Sequence, residues 1–130
     1  MRVLIADNSH HSLDWLKELL ASFKQVEIVG VYSDGPDTLE ALRTLKPDLA
    51  IVGLKMSGLS GIEVLTEIRK ENKSLNYIIL TFLSTDYYRQ MAIEAGADYF
   101  FSKVDDTEKI SQVIAQMSQK ESNTTNNMAF

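Results

Sequence analysis

Four polar stretches follow apolar, β-branched runs in this chain: "ADNS" at residues 6–9, "GLKMSG" at 53–58, "LTF" at 80–82 and "SKV" at 102–104. They put a carboxylate (Asp7), a hydroxyl (Thr81) and an ammonium (Lys103) where strands end, the place at which an α/β sheet holds its chemistry. At the remaining strand end stands Gly53, which has no side chain. Nucleophilic chemistry there would need a reactive side chain, and glycine supplies none. Asp48 lies a strand length away, Glu63 falls inside the following helix, and Ser57 has no general base placed for it. Each residue also has a plainer reading. Asp7, Asn8 and Ser9 suit a helix cap, Thr81 a turn, Lys103 a solvated surface and Phe100 a buried strand; Gly53 suits a strand end before a tight loop.

Other chemistries are poorly served. There are no cysteines, so disulfides, thiolate zinc sites and thiol catalysis are excluded. That composition fits a reducing cytoplasm. His10 and His11 have no third ligand nearby in sequence, and no G-x-G-x-x-G or P-loop pattern points to a nucleotide. With 13 Lys and Arg against 18 Asp and Glu the net charge is −5, and no basic stripe favours a nucleic-acid backbone. The amino terminus carries Arg2 and Asp7 within a few apolar residues, so it reads neither as a signal peptide nor as a membrane span.

The elements that must position these residues alternate strictly. Runs at residues 2–6, 26–32, 48–53, 77–81 and 97–101 are nearly continuous in apolar residues, as expected for parallel strands covered on both faces. Between them Leu13, Leu16, Leu20 and Phe23 recur at helical spacing, with Trp15 at the stripe's margin. Further helices are predicted before Pro47, over "GIEVLTEIRKE", over "TDYYRQMAIEAG" ending at Gly96, and along Ile110, Val113, Ile114 and Met117. Five βα units imply right-handed crossovers and a three-layer α/β sandwich. Residues 121–130 are polar and read as a flexible tail or the start of a linker.

The strand ends, in this order and at these spacings, resemble the receiver domain of bacterial response regulators, the CheY-like fold. "PDL", "LKMSGLSGIEVL", "AGADYF" and the lysine seven residues after Gly96 carry the resemblance over residues 1–120. It implies a doubly wound (βα)5 flavodoxin-like sheet in the order 2-1-3-4-5 and a role in two-component phosphorelay signalling. Carried over, Asp7 matches the first metal-holding acid and Asn8 stands where the second should be. Thr81 matches the hydroxyl, Lys103 the lysine and Phe100 the switch aromatic, while Gly53 occupies the phosphoacceptor position. Phe82 replaces a small residue, and Val104 replaces a proline that is commonly cis; a trans bond is expected before Val104.

These departures point to a pseudo-receiver. One acid facing one lysine leaves a site of about zero charge, where Mg²⁺ binding is expected to be weak or absent and Asp7 can pair with Lys103 directly. The resemblance implies protein partners. It also implies a homodimer face along the fourth helix, fifth strand and fifth helix, where Tyr87, Tyr88, Met91 and Tyr99 fall. "VGVYSDGPDTLEAL" resembles receivers that precede helix-turn-helix output domains, so the alternatives are a phosphate-accepting receiver with a displaced acceptor, or the amino-terminal part of a longer DNA-binding regulator.

Overall fold

A computed structural model describes residues 1–128, with side chains described through residue 119. Ten elements alternate: β1 (Arg2–Ala6), α1 (His10–Ala21), β2 (Glu27–Tyr32), α2 (Gly35–Leu45), β3 (Leu49–Gly53), α3 (Gly61–Arg69), β4 (Asn76–Thr81), α4 (Asp86–Ala95), β5 (Tyr99–Ser102) and α5 (Thr107–Met128). The strands form one parallel sheet in the order β2-β1-β3-β4-β5.

The continuous apolar runs are explained by burial on both faces. In β1, β3 and β4 alternate residues feed two cores. Leu4, Ala50, Val52, Tyr77, Ile79 and Phe100 pack beneath α2, α3 and α4. Val3, Ile5, Leu49, Ile51, Ile78, Leu80 and Phe101 pack beneath α1 and α5. The α1 stripe is buried at Leu13, Leu16 and Leu20, with Trp15 and Phe23 partly buried at its edge.

Most helix starts are capped by side chains that satisfy otherwise orphaned backbone N–H groups. Ser9 caps α1, Asp34 caps α2 and Thr85 caps α4, while Ser60 and Glu63 form a reciprocal capping box on α3. Glu63, set aside above as an acid, is therefore engaged at the helix start.

Several strand boundaries differ from expectation by one or two residues: β3 begins at Leu49, β4 at Asn76, and β5 ends at Ser102. β5 begins at Tyr99 rather than at residue 97, because residues 96–98 are used to end α4. Gly96 is left-handed at φ 104°, Ala97 N–H returns to Ala92 C=O, and the Asp98 carboxylate accepts Tyr77 N–H at 2.8 Å. β2 begins at Glu27 because Val26 N–H closes a turn onto Phe23 C=O. The reading of residues 121–130 as tail or linker falls where side chains, and at 129–130 the backbone too, lie outside the described residues.

Among the described residues no helix is long and apolar enough to cross a membrane.

Candidate functional site

The carboxyl ends of β1, β3, β4 and β5 lie side by side, and the strand register brings their polar residues together. Asp7 follows β1 directly, is 1% exposed, and anchors its own N–H on Tyr32 C=O at 3.1 Å. Its Oδ1 accepts Ser9 N–H at 2.9 Å, fixing the entry to α1. Its Oδ2 accepts Lys103 Nζ at 2.6 Å, across 96 residues of sequence. The ammonium donates again to Ser12 Oγ at 3.0 Å and lies 4.9 Å from the centroid of the Phe82 ring. One lysine thus joins the end of β1, the first turn of α1, the loop after β4 and the loop after β5.

Gly53 ends β3 facing this pair. A Cβ built on it would stand 2.7 Å from Asp7 Oδ2 and 2.9 Å from Asp7 Cγ. The space in front of Gly53 is therefore filled by the Asp7 carboxylate, not by solvent. Among the described residues no buried side-chain nitrogen or oxygen lacks a hydrogen-bond partner, so the missing side chain leaves no orphaned polar group.

Thr81 ends β4, buried; its hydroxyl accepts Leu83 N–H at 2.8 Å and its carbonyl accepts Lys103 N–H at 2.9 Å. Asn8 is exposed, on the outside of the site. Phe82 and Val104 are each 66% exposed, the Phe82 ring lying against the Lys103 ammonium of a buried ion pair. The described chain has no cis peptide bond, so Val104 follows Lys103 in trans. Ser57 lies exposed in the loop after β3, its carbonyl bound by Gly35 N–H.

Phe100 is 4% exposed and faces the core beneath α2, α3 and α4. On α4, Tyr87 is exposed and meets Tyr88 edge-on at 5.3 Å, while Tyr88 itself packs partly into that core. Met91 and Tyr99 are each 37% exposed, and the Tyr99 ring stacks on Phe101 at 5.4 Å. The four residues of the expected interaction face are thus divided between surface and core.

Four residues were not singled out from the sequence. Ser12 was legible in principle: it stands four residues before Leu16 and eight before Leu20, a polar residue on the apolar stripe at the sheet's carboxyl end. Asp106 accepts Ser102 N–H at 2.7 Å, and that bond, with Lys109 and Arg89 nearby, holds its carboxyl below the usual carboxylate range against the opposing effect of burial. Arg89 reaches from α4 to β5, a contact only the packed fold creates. Tyr77 sits at the floor of the core; burial pushes its phenol well above the ordinary range, and its OH donates to Gly61 C=O at 2.9 Å.

A parallel 2-1-3-4-5 sheet with carboxylate, hydroxyl and lysine gathered at its carboxyl edge defines the CheY-like class of flavodoxin-like domains. The chain belongs to the response regulator receiver domain family, whose model matches residues 3–121. It is 26% identical over 117 residues to the response regulator GacA of Pseudomonas aeruginosa, covering 90% of this chain and 55% of that one. It thus spans about half the length of that curated relative. Its fold superposes on the receiver domain of the response regulator NarL from Mycobacterium tuberculosis with a TM-score of 0.83, at 21% identity, over 91% of this chain and 95% of that one. A DNA-binding response regulator of the LuxR family from Staphylococcus aureus gives a TM-score of 0.82 at 24% identity, over 90% and 98%.

Proposed function

We propose that this receiver works as a pseudo-receiver, a binding module of two-component signalling that acts through protein contacts and carries no phosphoryl group. The observation that carries the reading is Gly53 facing an Asp7 carboxylate already committed to Lys103. No nucleophile stands at the acceptor position, so the domain is not an enzyme of its own phosphorylation. The residues present do not fit Mg²⁺ either. That ion wants near-octahedral oxygen ligands and keeps its water reluctantly. Both Asp7 oxygens are engaged, by Ser9 N–H and Lys103 Nζ, and Asn8 points the site no second carboxylate. No group of three His, Cys, Asp or Glu residues suited to a metal occurs among the described residues.

The partner is proposed to be a protein, a second copy of the domain included, docking on the α4–β5–α5 face around Tyr87 and Met91. Nucleic acid is not expected to touch this segment, whose net charge is −5. A second reading is favoured by the length comparison: as part of a longer DNA-binding regulator, the domain would feed a transcriptional output.

The test is incubation with Mg²⁺ and a small-molecule phosphodonor, followed by intact-mass analysis beside a phosphorylatable receiver. No phosphoryl adduct is expected. Stoichiometric, acid-stable or acid-labile adduct at any residue would reject the reading and favour a displaced acceptor, with Ser57 the first position to map.

A further inference from the structure

α4 is held to the body of the domain differently from its neighbours. Ala92 is its one buried residue, whereas α1, α2 and α3 each bury four or five. With so little apolar area, its placement depends on polar ties. At its carboxyl end, Arg69 of α3 donates from Nε and Nη2 to Gly96 C=O at 3.1 and 2.9 Å, and from Nη2 to the Asp98 carboxylate at 3.2 Å. Further up, Arg89 of α4 donates from Nη1 to Phe100 C=O at 3.1 Å. Its guanidinium carbon also lies 5.1 Å from the centroid of the Phe100 ring. A planar guanidinium suits this double role, since it stacks on an aromatic face while donating at its edge.

Arg89 therefore grips the same residue twice, by main chain and by ring. Phe100 lies on the sheet's edge strand, paired with Ile79 of β4, and its side chain enters the core that Tyr88 also touches. For the ring to swing outward it must leave the guanidinium. For α4 to slide along β5 it must break the carbonyl bond. One arginine opposes both motions.

We propose that Arg89 is a positioning residue that pins Phe100 inward and α4 against β5, so that the α4–β5 face is presented in one arrangement with no ligand at the strand ends. The proposal rests on the phosphorylation-independent reading above and names the device that would replace ligand-driven switching. Rigidity at this face then comes from contacts within the face itself.

The test is NMR relaxation dispersion on the Phe100 ring and the α4 amides in the wild type, Arg89→Met, Arg89→Lys and Arg43→Met. Arg89→Met keeps the aliphatic stem and removes charge and donors. Losing the cation–π contact should raise the outward Phe100 population about two- to fivefold, and losing the carbonyl bond should loosen α4 on β5. Exchange should then appear at Phe100, Thr81 and α4 while the rest of the sheet stays quiet. Arg89→Lys, which keeps a charge over the ring, should quench most of it. Arg43→Met, which loses the exposed pair with Glu71, should leave Phe100 silent. Flat dispersion at Phe100 in Arg89→Met, or exchange spread evenly over all elements, overturns the proposal. Adding Mg²⁺ and beryllofluoride to the wild type separates the two ideas. A response there defeats the phosphorylation-independent reading whatever Arg89→Met does, while silence there with silence in Arg89→Met defeats the Arg89 assignment alone.

Discussion

Lys103→Met should be among the most damaging substitutions at the site, and its effect should depend on Asp7. The Asp7 side chain is 1% exposed and that of Lys103 is 10% exposed, so the pair is essentially buried. Removing one partner of a buried pair costs about 3–5 kcal/mol, because the other charge is left uncompensated. Asp7 keeps one bond, from Ser9 N–H to Oδ1, which places the expected loss at the lower end, about 3 kcal/mol. For a domain of this size that lowers the melting temperature by roughly 10 °C. Asp7→Asn should cost less, about 1–2 kcal/mol, since a freed lysine can turn its ammonium toward water while a freed Asp7 cannot. In the double variant no buried charge remains, and roughly 2 kcal/mol of the Lys103→Met loss should return. Urea unfolding of the four proteins, with slopes compared to exclude changes in the unfolded state, gives the coupling directly. Additive losses in the double variant, or a Lys103→Met cost below about 1 kcal/mol, would refute the buried-pair account.

Other substitutions probe neighbouring contacts. Gly53→Ala places a methyl group 2.7 Å from Asp7 Oδ2 and should cost about 1–2 kcal/mol in denaturant unfolding, the loss of a charge-assisted bond outweighing the gain from removing a strand glycine. In an Asp7→Ala background the same change should be neutral or stabilising. Asp106 titrates lower in the folded than in the unfolded state, so its contribution is complete above the ordinary carboxylate pKa of about 3.9 and is lost as pH falls through the folded value. Asp106→Asn should therefore flatten the fall in urea midpoint below about pH 4, and an unchanged acid profile would contradict the assignment. Tyr77→Phe removes the phenol's bond to the Gly61 carbonyl, which as the first residue of α3 keeps its helical partner, and should cost about 0.5–1.5 kcal/mol. In the wild type, phenolate absorbance from Tyr77 should appear at alkaline pH only together with loss of circular dichroism.

The fold was legible because its signals are redundant. Five apolar runs, separated by helical stripes such as Leu13, Leu16 and Leu20, allow little besides a parallel sheet with helices on both faces. Boundaries were less legible where residues served two elements: "AGAD" looks like the approach to a strand, yet residues 96–98 are consumed in capping α4 and bracing β4. Asp7, Gly53, Thr81 and Lys103 could be placed at strand ends from sequence alone. The contacts that complete the site could not, because they depend on how helices sit on the sheet. Ser12 and Arg89 enter only through contacts between elements, Ser12 with Lys103 and Arg89 with Phe100. The Asp7 carboxylate filling the space before Gly53 is a matter of side-chain direction, which no spacing rule reports.

The strand-end site is proposed neither to bind nor to respond to a phosphoryl group. Amide NMR spectra with and without Mg²⁺ and beryllofluoride, a phosphoryl mimic, test it most directly at Thr81, Phe100 and Lys103. No saturable shift is expected at these residues or along α4. Saturable shifts that begin at Thr81 and Lys103 and extend to Tyr87 and Met91 would contradict it, and would mean that the site still takes its ligand and switches.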